Sequence, residues 1–342
     1  MKAVQLVQHG TPGVFEIREI ADPKPGPDEV LVRVCACGLN HLDLWLEEGA
    51  LPIPLKLPRT PGGEVAGIVE TVGREVPDWQ PGQRVAIQSN LFCGVCEFCA
   101  QGEESLCLSG ELLGVQRDGG FAEKVLAPAR TLVELPDAVS FETSAALTLA
   151  GSTAMHMLTN RAQIRAGDWV LAIGASSGVG SSAIQIAKEL GARVITTGST
   201  EEKRRFGLEL GALHAVDPAN EAWPGEVRRL TGKRGVDVVV EHVGGKILEQ
   251  SFNCLARGGT IVTCGATAGR DMSLNLWPFF VKQQRLVGSY GRNRSDIRAT
   301  LEWAALGKLK PVIHAKVPLA KTAEGFRMLR ERSALGKVVV II

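Results

Sequence analysis

Residues 169–199 constrain the fold more than any other stretch of the chain. They read Trp169-Val-Leu-Ala-Ile173, then Gly174-Ala-Ser-Ser-Gly178-Val-Gly180, an amphipathic run to Leu190, Gly191-Ala192, and Arg193-Val-Ile-Thr-Thr197. Strand, glycine-rich turn, helix, turn and strand in about thirty residues make a βαβ unit. The apolar run from Val170 to Ile173 suits a buried parallel strand, and Ala183, Ile184, Ile186, Ala187 and Leu190 form a helical stripe. Gly178 and Gly180 allow close backbone approach at the strand–helix junction. The helix start offers free N–H groups and the positive end of its dipole to a phosphate. A glycine turn alone marks many α/β proteins; set between two strands and a helix, it points to dinucleotide binding at Ser176, Ser177, Gly178, Val179 and Gly180. Further strand-like runs at 236–240, 260–264 and 285–289, with helical patterns at 200–210 and 246–257, continue the alternation. That alternation implies a doubly wound parallel sheet with right-handed crossovers. Ligands bind such sheets at the carboxyl ends of the strands, which places His242, Val243, Gly244, Cys264, Gly265, Ala266, Ser289 and Tyr290 near a cofactor. Cys264 reads there as a small lining residue rather than a nucleophile.

The remaining length requires a second domain. The chain has 342 residues, 45% hydrophobic and 22% charged, enough for two domains with sizeable cores. A net charge of +1 gives no reason to expect a nucleic-acid or anionic-membrane partner. No apolar stretch approaches the length of a membrane span, and residues 1–10 lack the apolar core of a signal peptide, so a cytoplasmic location is expected. In a reducing compartment, cysteines crowded together argue for metal rather than disulfides. Cys93, Cys96, Cys99 and Cys107 are such a group. Spacings of two let successive thiolates converge on one tetrahedral ion, and four thiolates leave no position for water or substrate. One structural zinc per chain, in a lobe spanning 91–110, is the expectation.

The N-terminal part is β-rich. Val30, Val32, Val34 and Ala36 alternate with Leu31, Arg33 and Cys35, and Cys35 and Cys37 read as strand residues rather than ligands. Gly38-Leu-Asn-His-Leu-Asp-Leu-Trp45 is followed by a proline-rich loop to Pro61, then Gly62-Gly-Glu-Val-Ala-Gly67-Ile-Val-Glu-Thr-Val-Gly73 and the turn Pro81-Gly-Gln-Arg-Val85. These blocks, the cysteine lobe, the nucleotide fold and the closing Gly336-Lys-Val-Val-Val340 resemble, in order and over essentially the whole chain, the medium-chain dehydrogenase/reductase family. That family holds zinc alcohol dehydrogenases and quinone oxidoreductases. The resemblance implies an α/β protein: a GroES-like catalytic domain (1–147), a Rossmann domain (148–291) and a C-terminal return to the catalytic domain (292–342); the sequence pattern itself predicts helices at 295–306 and 322–332 in that tail. It also implies that Thr153 and His41 border the cofactor.

Zinc alcohol dehydrogenases of the family polarise the substrate oxygen with a second zinc, held by a Cys in Gly-x-Cys, a His in Gly-His-Glu and a later Cys or Asp. At the matching positions this chain has Asn40, Gly63 and Leu149, and Leu42 and Trp45 stand where a proton relay would run. Glycine and leucine offer no side-chain ligand, and an asparagine oxygen is a poor one. This half of the pattern is similar instead to quinone oxidoreductases, where hydride passes without metal. The implied catalytic set is Asn40 as hydrogen-bond donor, with Asp43 and Glu64. Asp43 reads equally as a helix cap, and Glu64 as the partner of a buried arginine. A shifted metal on His41, Asp43 and Glu64, giving a zinc alcohol dehydrogenase with atypical ligands, is a second reading. A non-catalytic nucleotide-binding scaffold or sensor is a third.

The strand after the nucleotide turn ends in Gly198-Ser-Thr-Glu-Glu-Lys203, without the carboxylate that binds the ribose 2′-hydroxyl of NAD. Ser199 and Lys203 suit a 2′-phosphate, so NADP(H) is favoured over NAD(H). The alternative has Ser199 or Thr200 as a helix cap. Loop 44–60, Trp277 and Phe279 are expected to shape the pocket for a small-molecule substrate. The strand at 285–290 ends the sheet and invites pairing with a second copy, so a homodimer or homotetramer is expected.

Overall fold

The computed structural model describes residues 1–342. They form two compact units: Met1–Ser152 together with Arg292–Ile342, and Thr153–Gly291. The first boundary lies inside the helix Ala150–Met155, a few residues beyond 147. No helix is long and apolar enough to cross a membrane.

The first unit is built on a seven-stranded sheet. Its order is Ile313–Pro318, Lys337–Ile341, Glu29–Gly38, Glu64–Val72, Arg84–Ile87 and Leu132–Glu134, with Lys124–Pro128 also pairing Glu29–Gly38. Only the first two strands run parallel. Val30, Val32 and Val34 sit fully in the core, as their alternation expects, while Leu31 is buried too because Lys124–Pro128 flanks it. The register matters for function. Gly38 pairs with both Val339 and Glu64, so the end of one strand lies between the beginning of Glu64–Val72 and the middle of Lys337–Ile341. Gly38 is required there, since an added Cβ would come 2.0 Å from the Ala145 carbonyl. Residues 44–60 do not form a single loop: a helix spans His41–Glu48 and ends at Gly49, φ 71°. Arg330, in the returning helix Thr322–Arg330, binds the buried Glu47 carboxylate at 2.7 and 2.5 Å, tying the tail to that helix.

The second unit is a six-stranded, all-parallel sheet in the order His214–Val216, Arg193–Thr197, Trp169–Ala172, Val236–Glu241, Leu255–Thr263 and Arg285–Gly288. This is the Rossmann order, with Trp169–Ala172 and Val236–Glu241 at its centre. Helix Gly178–Glu189 packs Ala183, Ile184, Ile186 and Ala187 against it. Helix Trp223–Leu230 was hidden in the sequence by Pro224 and Gly225; Pro224 sits in the first turn, where a missing N–H costs nothing, and Trp223 and Val227 anchor it.

Candidate functional site

The cysteine lobe brings all four expected thiols together. The Sγ atoms of Cys93, Cys96, Cys99 and Cys107 lie within 4.8 Å of one another. Cys99 Sγ is 3.5 Å from that of Cys96 and 3.9 Å from that of Cys93, close to the roughly 3.8 Å edge of a tetrahedron with 2.3 Å Zn–S bonds. The amides of Val95 and Cys96 donate to Cys93 Sγ and pull its thiol down to about 6, favouring the thiolate that metal requires.

In the Rossmann unit, Ser177 caps helix Gly178–Glu189: its Oγ accepts from the Gly180 amide at 2.8 Å. That leaves the Gly178 and Val179 amides at the helix start as donors for an anion. Gly180 cannot be replaced, since a Cβ would meet the Gly174 carbonyl at 2.1 Å. His242 Nε2 lies 3.0 Å from both Ser177 Oγ and the Ile173 carbonyl, and burial lowers its pKa, so the ring is neutral and braces the turn. Its neighbour Glu241 is fully buried. One carboxylate oxygen accepts from the Val243 and Gly244 amides at 2.6 and 2.7 Å, and the other from Thr263 Oγ1 at 2.8 Å. Burial lifts the Cys264 thiol to about 12, leaving it an unreactive lining group. Ser289 Oγ is buried without a partner, while Tyr290 is exposed. Thr153 is buried in the helix Ala150–Met155. At the end of strand Arg193–Thr197, Ser199 is exposed. The helix cap is Thr200, which accepts from the Lys203 amide. Arg204, not anticipated from the sequence, binds the Gly198 carbonyl at 2.9 Å, Asp217 at 3.1 Å and Glu201 at 2.9 Å.

The first unit gathers Asn40, Asp43 and Glu64, with Asp43 in the helix-capping role that was one of its two readings and Glu64 paired with a buried cation. Glu64 opens its strand fully buried. Its Oε1 accepts from the Leu149 and Ala150 amides at 2.6 and 3.1 Å. Its Oε2 accepts from Asn40 Nδ2 at 2.9 Å and from Lys337 Nζ at 2.7 Å. The partner is therefore a lysine, not an arginine, and four donors saturate the carboxylate. Lys337, 5% exposed, donates its other two hydrogens to the Leu39 carbonyl and Asn40 Oδ1, each at 2.6 Å. Asn40 sends its second amide hydrogen to the Gly38 carbonyl at 3.3 Å. Asn40 was expected to donate to a substrate; both its N–H groups are spent inside the protein.

Asp43 Oδ2 accepts from the Asn40 amide at 2.8 Å and Oδ1 from the Gly62 amide at 3.2 Å. It thus caps its own helix from the third position. Burial raises its pKa to about 6, although the two amides and Lys337 oppose the shift. His41 meets Trp45 edge-on, centroids 5.2 Å apart. His41, Asp43 and Glu64 do not converge as a ligand set; the cluster of metal-type ligands in this chain is the four-cysteine one. A histidine at 63 has no room either, since a Cβ there would lie 2.9 Å from the Leu113 carbonyl and 3.4 Å from Ser89 Cβ.

Two family models match: "alcohol dehydrogenase GroES-like domain" over residues 26–137 and "zinc-binding dehydrogenase" over 178–305. Acryloyl-coenzyme A reductase of Sulfurisphaera tokodaii is 32% identical over 99% of both chains. The chain belongs to the medium-chain dehydrogenase/reductase superfamily. Human quinone oxidoreductase is 28% identical over 100% of this chain and 98% of its own. The crystal structure of an NAD-dependent alcohol dehydrogenase superposes with a TM-score of 0.96 at 42% identity, covering both chains completely. This dehydrogenase/reductase is an NAD(P)-dependent oxidoreductase of the alcohol dehydrogenase/quinone reductase type. The residue that sequence reasoning missed in the Asn40–Glu64 cluster is Lys337. The signal was present: one cation opens an otherwise apolar closing strand, Lys337-Val-Val-Val-Ile-Ile342.

Proposed function

We propose that this enzyme moves hydride between NADP(H) and a conjugated acceptor, a quinone or enone before a simple aldehyde or alcohol, with one structural zinc and no catalytic zinc. The observation that carries the reading is the Lys337 ammonium, held by Leu39 O, Asn40 Oδ1 and Glu64 Oε2 among the segments where zinc relatives carry ligands. Glu64 has no acceptor position left for a metal, and Asn40 offers its oxygen to the lysine. The four thiols of the lobe fit zinc by distance and by their N–H···S bonds, and that ion braces residues 91–110 without touching chemistry.

The dinucleotide, when bound, supplies or accepts the hydride. The Gly178 and Val179 amides hold its phosphate, and the unpartnered Ser289 hydroxyl is a further donor. Ser199 and Lys203 receive a 2′-phosphate, because no carboxylate stands at that strand end to repel it. With Asn40, Asp43 and Glu64 committed to the fold, the proton that follows hydride comes from water. Conjugated acceptors suit this arrangement, since their developing charge is already delocalised and needs little Lewis-acid help. The acryloyl-coenzyme A reductase and quinone oxidoreductase relatives, both named for conjugated substrates, support this choice. The test is a metal count beside an acceptor panel run with NADPH and NADH. One zinc per chain, turnover of quinones or enones and an NADPH preference are expected. Two zincs per chain, or a tenfold preference for NADH, overturns the corresponding part.

The enzyme also pairs with a second copy through the edge strand Arg285–Gly288. Leu286 there, and Leu276, Trp277 and Phe280 of the helix Leu276–Val281, are exposed. Phe279, by contrast, packs inward against Phe252. A single-chain mass by light scattering would dismiss this assembly.

A further inference from the structure

We infer that Lys337 is the built-in cation of the reactive site, a positioning residue whose ammonium fills an oxygen-lined hole and on whose charge turnover depends. The chain is shaped to deliver it. Gly336 turns at φ 97°, where a Cβ would lie 2.2 Å from the Val312 carbonyl, and the Lys337 amide bonds that same carbonyl at 2.8 Å. Lys337 is thereby aimed at Leu39, whose amide is held by the Val338 carbonyl at 2.9 Å while its own carbonyl accepts from Lys337 Nζ at 2.6 Å. Three oxygens of three kinds, a peptide carbonyl, an amide and a carboxylate, surround one nitrogen at 2.6–2.7 Å. That is a complete shell for an ammonium, whose three hydrogens all find acceptors.

The placement has a chemical purpose. Glu64 alone would bring a full negative charge, fully buried, into the centre where an acceptor gains electrons. Lys337 cancels that charge within hydrogen-bonding distance and fixes the Asn40 side chain through its oxygen. Asn40 is only half-buried, so it is the member of the network that presents this balanced charge to the accessible side. A purely architectural ion pair needs only the Glu64 contact; holding Asn40 Oδ1 and Leu39 O as well sets the orientation of the segment that begins helix His41–Glu48.

This inference rests on the metal-free reading above, and its test separates the two. Lys337→Ala empties the hole, Lys337→Met fills its volume without charge, and the double variant Glu64→Gln/Lys337→Met removes both charges together. Each is measured for turnover, for dinucleotide Kd by fluorescence, and for thermal midpoint with methylammonium or tetramethylammonium chloride. Lys337→Ala is expected to lose kcat about tenfold or more with dinucleotide Kd within about twofold. Methylammonium, the size of the missing headgroup, restores much of the loss and raises the midpoint; tetramethylammonium, too large and without N–H, does neither. Lys337→Met is not rescued. The double variant folds, because no buried charge is orphaned, yet its kcat stays low, because balancing the charge does not replace the donor that Asn40 Oδ1 and the Leu39 carbonyl lose. Recovery of kcat in the double variant, or equal effects of the two ammonium salts, overturns the inference. If the wild type turns over no acceptor, the proposed function fails, and the midpoint response of Lys337→Ala still decides whether the cation hole exists.

Discussion

Glu64→Gln tests the buried network most sharply. Glutamine keeps the shape of the side chain and leaves one oxygen for the Leu149 and Ala150 amides. Its NH2 group then replaces the oxygen that accepted from Asn40 Nδ2 and Lys337 Nζ at 2.9 and 2.7 Å. Donor faces donor on two contacts, and an ammonium 5% exposed loses its countercharge. Breaking one side of a buried ion pair costs about 3–5 kcal/mol. For a unit of this size, each kcal/mol shifts the melting midpoint by about 2–4 °C, so a loss of roughly 10 °C is expected. Differential scanning calorimetry of the apo protein measures it without dependence on activity. A midpoint within about 2 °C of the wild type would show that the contacts at Glu64 are not formed in solution and would refute the account of how this site is charged.

Other outcomes follow from the same structure. Asp43 has a folded pKa of about 6 against 3.8 in its ordinary state, so its burial carries no penalty while the proton is on, below about pH 4. The penalty grows as pH rises to about 6 and reaches on the order of 3 kcal/mol. Urea unfolding from pH 4.5 to 7.5 should show that slope in the wild type and not in Asp43→Asn. Gly63→His, which restores one lost ligand on paper, drives a side chain into the Leu113 carbonyl. It should destabilise by about 1–3 kcal/mol and leave the zinc count at one per chain. A chelator should release that zinc and raise hydrogen exchange in residues 91–110 while the parallel sheet stays protected. Ser199→Asp should move the dinucleotide preference toward NADH by about tenfold or more in kcat/KM, since a carboxylate repels a 2′-phosphate and accepts from a 2′-hydroxyl.

Legibility in the sequence followed the range of the interactions. Strands 169–173 and 193–197 and their glycine turn were plain because each signal is local: an apolar run, a glycine pair, a stripe of period 3.6. The cysteine lobe was plain because all four thiols that converge fall within one short segment. Part of what stayed hidden involves partners far apart in the chain, and part involves side chains that fold back onto nearby backbone. Asn40, Asp43 and Glu64 were found, since their motif positions mark them, but the cation beside Glu64 was read as an arginine because Lys337, which binds Glu64 and Asn40, lies 297 residues from Asn40. Glu241, just past the expected strand 236–240, drew no reading, for nothing in Val236-Asp-Val-Val-Val-Glu241 shows that its carboxylate will turn back onto the next two amides. Arg204 drew no reading, because nothing in Glu201-Glu-Lys-Arg204 shows that its guanidinium will return to the Gly198 carbonyl.

The adjacent pair Glu241 and His242 has a bearing on how this protein can be re-engineered. Two neighbouring side chains at the end of one central strand grip different loops: the glutamate holds 243–244 and Thr263, the histidine holds Ile173 and Ser177. Grafting a Gly-x-Gly-x-x-Gly turn from a relative would strip the imidazole of its serine. Replacing 241–245 alone would strand the donors it now satisfies. The three loops form a single exchangeable cassette, and libraries aimed at new dinucleotides should recombine 173–180, 241–245 and 263–265 together rather than one at a time.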